Sequence, residues 1–132
     1  MYTVRVTRVF SAAHALVLRG EREALHGHDW RVTASFEGES LDADGLLVDF
    51  HAVEGALSAV TARLSNANLN DQTPFVDGVN PSAENVARVI WEELARRCAS
   101  ILPGGAVLGS VRVTEAPGCE AEWRGVGGGR DR

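Results

Sequence analysis

From Trp30 to Glu37 the chain alternates residue by residue: Trp30, Val32, Ala34 and Phe36 are separated by Arg31, Thr33, Ser35 and Glu37. A period of two puts the first set on one face of an extended strand. The run therefore predicts a half-buried strand of an antiparallel sheet and fixes which side must be covered. Tyr2 to Phe10, with Val4, Val6 and Val9 among threonines and arginines, is a β-rich partner for it. The two runs form a hairpin with a long connection.

From Asp49 the period changes. Phe50, Val53, Leu57, Val60 and Leu64 recur at three and four residues, the stripe of an amphipathic helix lying on a sheet. A second helix begins at Asn80-Pro81-Ser82, where Ser82 caps the first turn; it carries Val86, Ile90 and Leu94 and ends before Pro103-Gly104-Gly105. Val107, Val111 and Val113 then share one parity and Pro117-Gly118 supplies a turn. Cys119, Ala121 and Trp123 alternate with Glu120, Glu122 and Arg124 to complete a second hairpin.

This order predicts an α+β fold, a ββααββ antiparallel sheet with two helices on one face. The 132 residues suit one such domain, placed at 1–124, followed by a glycine-rich and flexible tail over 125–132. Both hairpins leave sheet edges to be paired with another subunit, so an oligomer is expected. A formal charge of −5 provides no basic face for phosphates, which excludes nucleic acid as a partner. No apolar run approaches the roughly 18 residues that span a bilayer, and Met1 to Arg5 lacks a secretory pattern, so a cytoplasmic protein without membrane contact is expected. Cys98 and Cys119 have no CxxC spacing and read as reduced thiols, each buried as a small hydrophobe.

Three of the four histidines fall in two short segments, Phe10-Ser11-Ala12-Ala13-His14 and Leu25-His26-Gly27-His28-Asp29-Trp30. Residues two apart on a strand point the same way, so His26 and His28 share the face of Trp30 and converge at the strand's start. An antiparallel partner strand brings His14 to face them. Three neutral nitrogens with a fourth position open describe a catalytic type of zinc site. The same spacing also suits three unrelated histidines, one in the core and two in a turn. Glu115 continues the parity of Val111 and Val113, which puts a carboxylate on an apolar face where it needs a partner. A salt bridge, a strand end reaching water, and a ligand's paired N–H groups all satisfy it.

Taken in order, the two histidine segments resemble the 6-pyruvoyl tetrahydropterin synthase and 6-carboxytetrahydropterin synthase family over nearly the whole chain. Gly45-Leu46-Leu47-Val48-Asp49-Phe50, Leu69-Asn70-Asp71, Asn80-Pro81-Ser82-Ala83-Glu84-Asn85 and Val111-Arg112-Val113-Thr114-Glu115 carry the rest of the likeness. The resemblance implies the tunnelling fold, with sheets joined into an oligomeric barrel, usually a hexamer with sites between subunits. It implies zinc on His14, His26 and His28, and Glu115 as the substrate-binding anchor of a pterin ring.

Two departures from the family bear on chemistry. The usual cysteine four or six residues before His26 is replaced by Arg22 and Gly20. Glu23, three before His26, matches a variant branch in which glutamate takes over as the catalytic base; a solvated loop glutamate is the alternative. That branch is linked to shortening the side chain of dihydroneopterin triphosphate to a hydroxymethyl pterin. The family's Asp-His proton relay is replaced by Ser65-Asn66, neither of which titrates near neutral pH. His51, beside the stripe of the first helix, reads as a surface residue. The resemblance thus implies a zinc lyase acting on the C6 side chain of a dihydropterin. The alternatives are a pterin- or purine-like ligand-binding homologue without synthase activity, and a hydrolase that uses metal-bound water.

Overall fold

The computed structural model describes residues 1–125. Tyr2–His14 (β1) leads into a short hairpin, Val17–Leu18 (β2) and Glu21–Arg22 (β3), and returns as His26–Gly38 (β4). β1 and β4 pair antiparallel in one unbroken register from Tyr2 opposite Gly38 to His14 opposite His26. The predicted hairpin is thus present and reaches four residues further into the histidine segments on each strand.

Phe50–Leu64 (α1) follows, with Asp49 capping its first turn through the His51 N–H. A two-residue strand, Ala67–Asn68 (β5), pairs parallel to β1, so the sheet is mixed where an antiparallel one was expected. Ala83–Cys98 (α2) starts at the expected cap, Ser82, whose side chain accepts from the Asn85 N–H. Val107–Ala116 (β6) and Cys119–Arg124 (β7) form the second hairpin, and the sheet order is β5-β1-β4-β6-β7. α1 packs on β1 and α2 on β6 and β7. Among the described residues, no helix is long and apolar enough to cross a membrane.

The core lies between helices and sheet. Trp30, Val32, Ala34 and Phe36 are fully buried, as the alternation requires, under Val53, Leu57, Val60 and Leu64 of α1 and Val86, Ile90 and Leu94 of α2. Three expectations need correction. Phe50 is 50% exposed, because the residues that enter the core at this end are Leu47 and Val48, just ahead of the cap. Val107 does not share the inward parity of Val111. Ser35 pairs with Ser110 but Phe36 with Leu108, so Gly109 is an extra residue, and this bulge turns Leu108 inward instead. A Cβ at Gly109 would displace the Glu37 carboxylate, which now packs over the bulge and pairs with Arg124. Cys98 is buried as expected, whereas Cys119, at the exposed β6–β7 turn, is not. Most of the expected tail, 126–132, lies outside the described residues.

These placements predict opposite responses along one helix stripe. Leu57→Ala removes a fully buried side chain and should lower unfolding free energy by about 2–5 kcal/mol, whereas Phe50→Ala should cost less than about 1 kcal/mol. Urea unfolding of both variants checks this, and a Phe50 effect equal to that of Leu57 would contradict the placement.

Candidate metal centre

The register of β1 and β4 assembles the centre. His14 faces His26 and Ala12 faces His28, and residues directly opposite one another share a sheet face. All three imidazoles therefore stand at the end of the helix-covered face, as strand parity predicted. Their ring centroids are 4.7 to 5.1 Å apart. Trp30 forms the floor: its ring meets His14 edge-on at 4.9 Å, and its Nε1–H donates to the Ala12 carbonyl at 3.2 Å. Exposure rises from His14, at 0%, through His28 at 24% to His26 at 40%, so the group opens outward.

Glu115 closes the group from β6. The β4–β6 ladder ends at Arg31 opposite Thr114, and the β6–β7 register shifts between Thr114 and Ala116. Glu115 thus sits one residue past the last rung, with its side chain on the histidine side. Its Oε1 lies 2.9 Å from His14 Nε2 and 3.2 Å from His28 Nε2, yet neither nitrogen has a hydrogen-bond partner and both are buried.

The outer atoms of the rings explain why. His14 Nδ1 is 2.8 Å from the Pro81 carbonyl and His26 Nδ1 is 2.9 Å from that of Ala24. A carbonyl only accepts, so each Nδ1 carries a proton, and a ring with no second proton turns its Nε2 lone pair inward. In His14 that nitrogen faces a carboxylate oxygen, an arrangement that a shared proton or a metal ion satisfies. Ligand atoms of His14, His26, His28 and Glu115 all lie within 4.8 Å of one another. Nitrogens held about 2.0–2.1 Å from a tetrahedral zinc would be roughly 3.4 Å apart, a small closure from this spacing. The donor set fits a divalent metal, and the Pro81 and Ala24 carbonyls are the outer partners that fix its tautomers. Burial lowers the His28 pKa from its usual 6.5; Glu115 opposes the shift, and His14 and His26 add to it. At neutral pH that ring is a free base.

Glu23 is half-buried at the edge of the group, with Oε1 3.9 Å from His26 Nδ1. The same oxygen accepts from the Leu16 N–H at 3.0 Å, and the Glu23 N–H donates to the Leu16 carbonyl at 2.9 Å. One oxygen of the carboxylate is therefore held by the main chain, while the side chain stays 31% exposed. Asn66 lies in the left-handed region at φ 57°, with its N–H donating to the Ser11 carbonyl at 2.6 Å. With His28, Asn68 and Asp29 it lines an open groove of about 720 Å³. The segment of the missing relay therefore does reach the site, carrying an amide. Asp29 is bound by the Ser11 hydroxyl at 2.6 Å. His51 is exposed on α1, as read. Burial pushes the Cys98 thiol up to about 11, which leaves it unreactive. Roles for Asn70, Asn80 and the Pro81 carbonyl were not read from sequence, although their segments stood out as motifs.

A sequence model of the 6-pyruvoyl tetrahydropterin synthase family matches residues 3–126. A putative 6-carboxy-5,6,7,8-tetrahydropterin synthase of Archaeoglobus fulgidus is 27% identical over 71% of this chain and 76% of its own length. The 6-pyruvoyl tetrahydrobiopterin synthase of Homo sapiens is 32% identical over 68% of this chain and 59% of its own length. In structure, the Caenorhabditis elegans 6-pyruvoyl tetrahydropterin synthase superposes with a TM-score of 0.79 at 23% identity, over 94% of this chain and 95% of that one. A catalytic-residue variant of the Plasmodium vivax enzyme, glutamate replaced by alanine, gives 0.70 at 19% identity over 93% and 98%. At these identities the structures speak for the fold.

The lowered pKa of His28 carries a sign. The unfolded chain binds its proton more readily, so the metal-free protein should lose stability as pH falls through about 6.5. Thermal melts from pH 7.5 to 5.5 should show a shallower decline for His28→Ala than for the parent. Parallel declines would exclude His28 as a source.

Proposed function

The chain belongs to the 6-pyruvoyl tetrahydropterin synthase family, and on that premise we propose a zinc-dependent lyase acting on the C6 side chain of dihydroneopterin triphosphate or a related dihydropterin. One observation carries the reading: three histidines turn their ligand nitrogens toward one point beside a carboxylate, and two of those nitrogens are buried without a hydrogen-bond partner. His14, His26 and His28 hold the ion. When bound, zinc supplies Lewis acidity toward the side-chain hydroxyls.

The remaining roles fall to this chain's own groups. Glu115 accepts paired N–H donors of the pterin ring; it is 27% exposed and lines a cavity of about 300 Å³ with Arg31 and Thr114. Glu23, with Oε1 held by Leu16, presents Oε2 to take a proton from a side-chain hydroxyl. A glutamate is the replaced catalytic residue in the Plasmodium vivax structure, which gives a carboxylate in this role a precedent. Loss of the proton from the hydroxyl on the second side-chain carbon, with cleavage of the bond between the first and second carbons, would release the outer carbons as a phosphorylated aldehyde, and protonation of the first carbon would leave a hydroxymethyl pterin. We place the enzyme in the cytoplasm as a homo-oligomer, a hexamer by family likeness, with β5 and β7 as the sheet edges available for pairing.

Two competing readings have observations behind them. Glu115 lies within ligand distance of the histidines and would then be a fourth ligand that closes the site. The amide at Asn66 and the absence of the usual cysteine suit a binding protein that retains metal and pterin without turnover. We expect the parent to bind one equivalent of zinc and His26→Ala/His28→Ala to lose it, by metal analysis after dialysis. Glu115→Gln should raise KM for the pterin tenfold or more with zinc content unchanged; lost zinc would instead make Glu115 a ligand. Products from dihydroneopterin triphosphate, identified by mass, should include a hydroxymethyl pterin that Glu23→Gln lowers at least 100-fold. Pterin binding without product would decide for the binding protein.

A further inference from the structure

Asn70 and Asn80 belong to the Leu69-Asn70-Asp71 and Asn80-Pro81-Ser82 motifs, to which the chemistry above gives no part. The structure assigns them one: we propose that they are positioning residues of the metal centre, gripping the backbone beyond His14 and so setting where His14 and Glu23 stand. This rests on the reading of the three histidines as metal ligands.

Three consecutive residues leave the end of β1, and each is tied by both its backbone groups. The Ala15 N–H donates to Asn70 Oδ1 at 2.8 Å, and its carbonyl accepts from Asn70 Nδ2 at 2.8 Å. Leu16 exchanges the corresponding pair with Glu23, through the carboxylate in one direction and the main-chain N–H in the other. The Val17 N–H donates to Asn80 Oδ1 at 2.9 Å, and its carbonyl accepts from Asn80 Nδ2 at 3.0 Å. A side-chain amide presents a donor and an acceptor side by side, as a neighbouring β-strand does. Asn70 and Asn80 thus extend the pairing of β1 past its last rung by one side chain each.

Both clamps are themselves held. Asn70 is fixed by its own N–H to Asn68 Oδ1 at 3.0 Å, and the Asn80 carbonyl accepts from Asn85 Nδ2 of α2 at 2.9 Å. The next residue, Pro81, offers the carbonyl that orients His14 Nδ1. One dipeptide at the start of α2 therefore fixes the ligand's ring and the chain three residues beyond it. Glu23 is placed through the middle of this clamped segment, so its distance from the centre depends on amides it does not touch. A group bonded directly to a ligating ring, as the Pro81 carbonyl is to His14, is worth about 10- to 100-fold in metal affinity, which sets the scale for the amides that hold the same segment one contact further out.

The test measures zinc affinity by chelator competition and the visible bands of the cobalt-substituted protein. The variants are Asn70→Ala, Asn80→Ala and the near-isosteric Asn70→Asp and Asn80→Asp, which keep the acceptor and lose the amide donor. The alanine variants should bind zinc at least tenfold more weakly and shift the cobalt bands, with the aspartates intermediate. Val60→Ala, a core change remote from the clamp, should lower the melting temperature and leave the bands in place, which separates positioning from lost stability. Should the alanine variants fail to fold, the aspartates decide. Parent affinity and unshifted bands in the folded clamp variants would overturn the proposal while leaving the metal reading intact; a parent that binds neither ion would overturn both.

Discussion

The antiparallel register of β1 on β4 is the constraint from which the rest follows. The candidate metal-binding histidines stand at the end rungs of that ladder, so a slip of one residue would send His26 and His28 to the face away from His14. The core prevents it. Phe10 and Trp30 stack at a ring separation of 6.1 Å and an interplanar angle of 7°, two rungs inside the histidines, with Val6 opposite Ala34 further along. On the other face Thr7 and Thr33 share a hydrogen bond at 3.1 Å in the same register. The hydrophobic packing that folds the sheet also brings the three imidazoles to one face, and hydrogen bonds from outside the ladder then orient the His14 and His26 rings.

Burial at that end creates an electrostatic demand. His14 has no exposure, and its Nδ1 is satisfied by a backbone carbonyl, which leaves the opposite nitrogen facing a carboxylate and in need of a proton or a cation. An unpaired buried acceptor costs about 1–3 kcal/mol, and two acceptors facing one another cost more. The fold tolerates this because one side of the group is open toward His26. Under the proposed function a cation entering there would meet these groups with attractive contacts, so that metal binding and stability would be coupled at this end of the molecule.

Legibility in the sequence divided along physical lines. Period-two alternation located Trp30 to Phe36 and carried the face assignment back to His28 and His26, because alternation survives wherever a strand is regular. It failed at Val107, where the Gly109 bulge shifts the phase, yet it succeeded again for Glu115, since Val111, Val113 and Glu115 all lie on the same side of the bulge. Helix periodicity found the buried positions of α1 but counted Phe50 among them. The stripe says which side faces inward, not how far the sheet extends beneath the first turn. Asn70 and Asn80 stood in recognisable motifs without a readable function, because their partners are backbone groups 55 and 63 residues away and a main-chain contact leaves no mark on the partner's side chain. The short β5 strand escaped for a related reason: two residues carry no period.

The departures from the family bear on which reaction the proposed centre can run. Moving a proton between two carbons needs a base and a second titrating group to return the proton elsewhere, the part an Asp-His pair plays. Asn66 occupies that segment and neither accepts nor releases a proton near neutral pH. Of the carboxylates near the ligands, Asp29 is bound to Ser11, and Glu115 in the proposed scheme is occupied by the ring. Glu23 is left to act alone. Cleavage of a carbon–carbon bond requires one hydroxyl proton to be removed, while the carbon left behind can be protonated by water entering from the open groove beside His28 and Asn66. A single fixed carboxylate is enough for that sequence and insufficient for a redox-neutral rearrangement along the side chain. A non-titrating pair at Ser65-Asn66 and a single base at Glu23 are thus mutually consistent, and under the proposed function both favour shortening a pterin side chain over rearranging it.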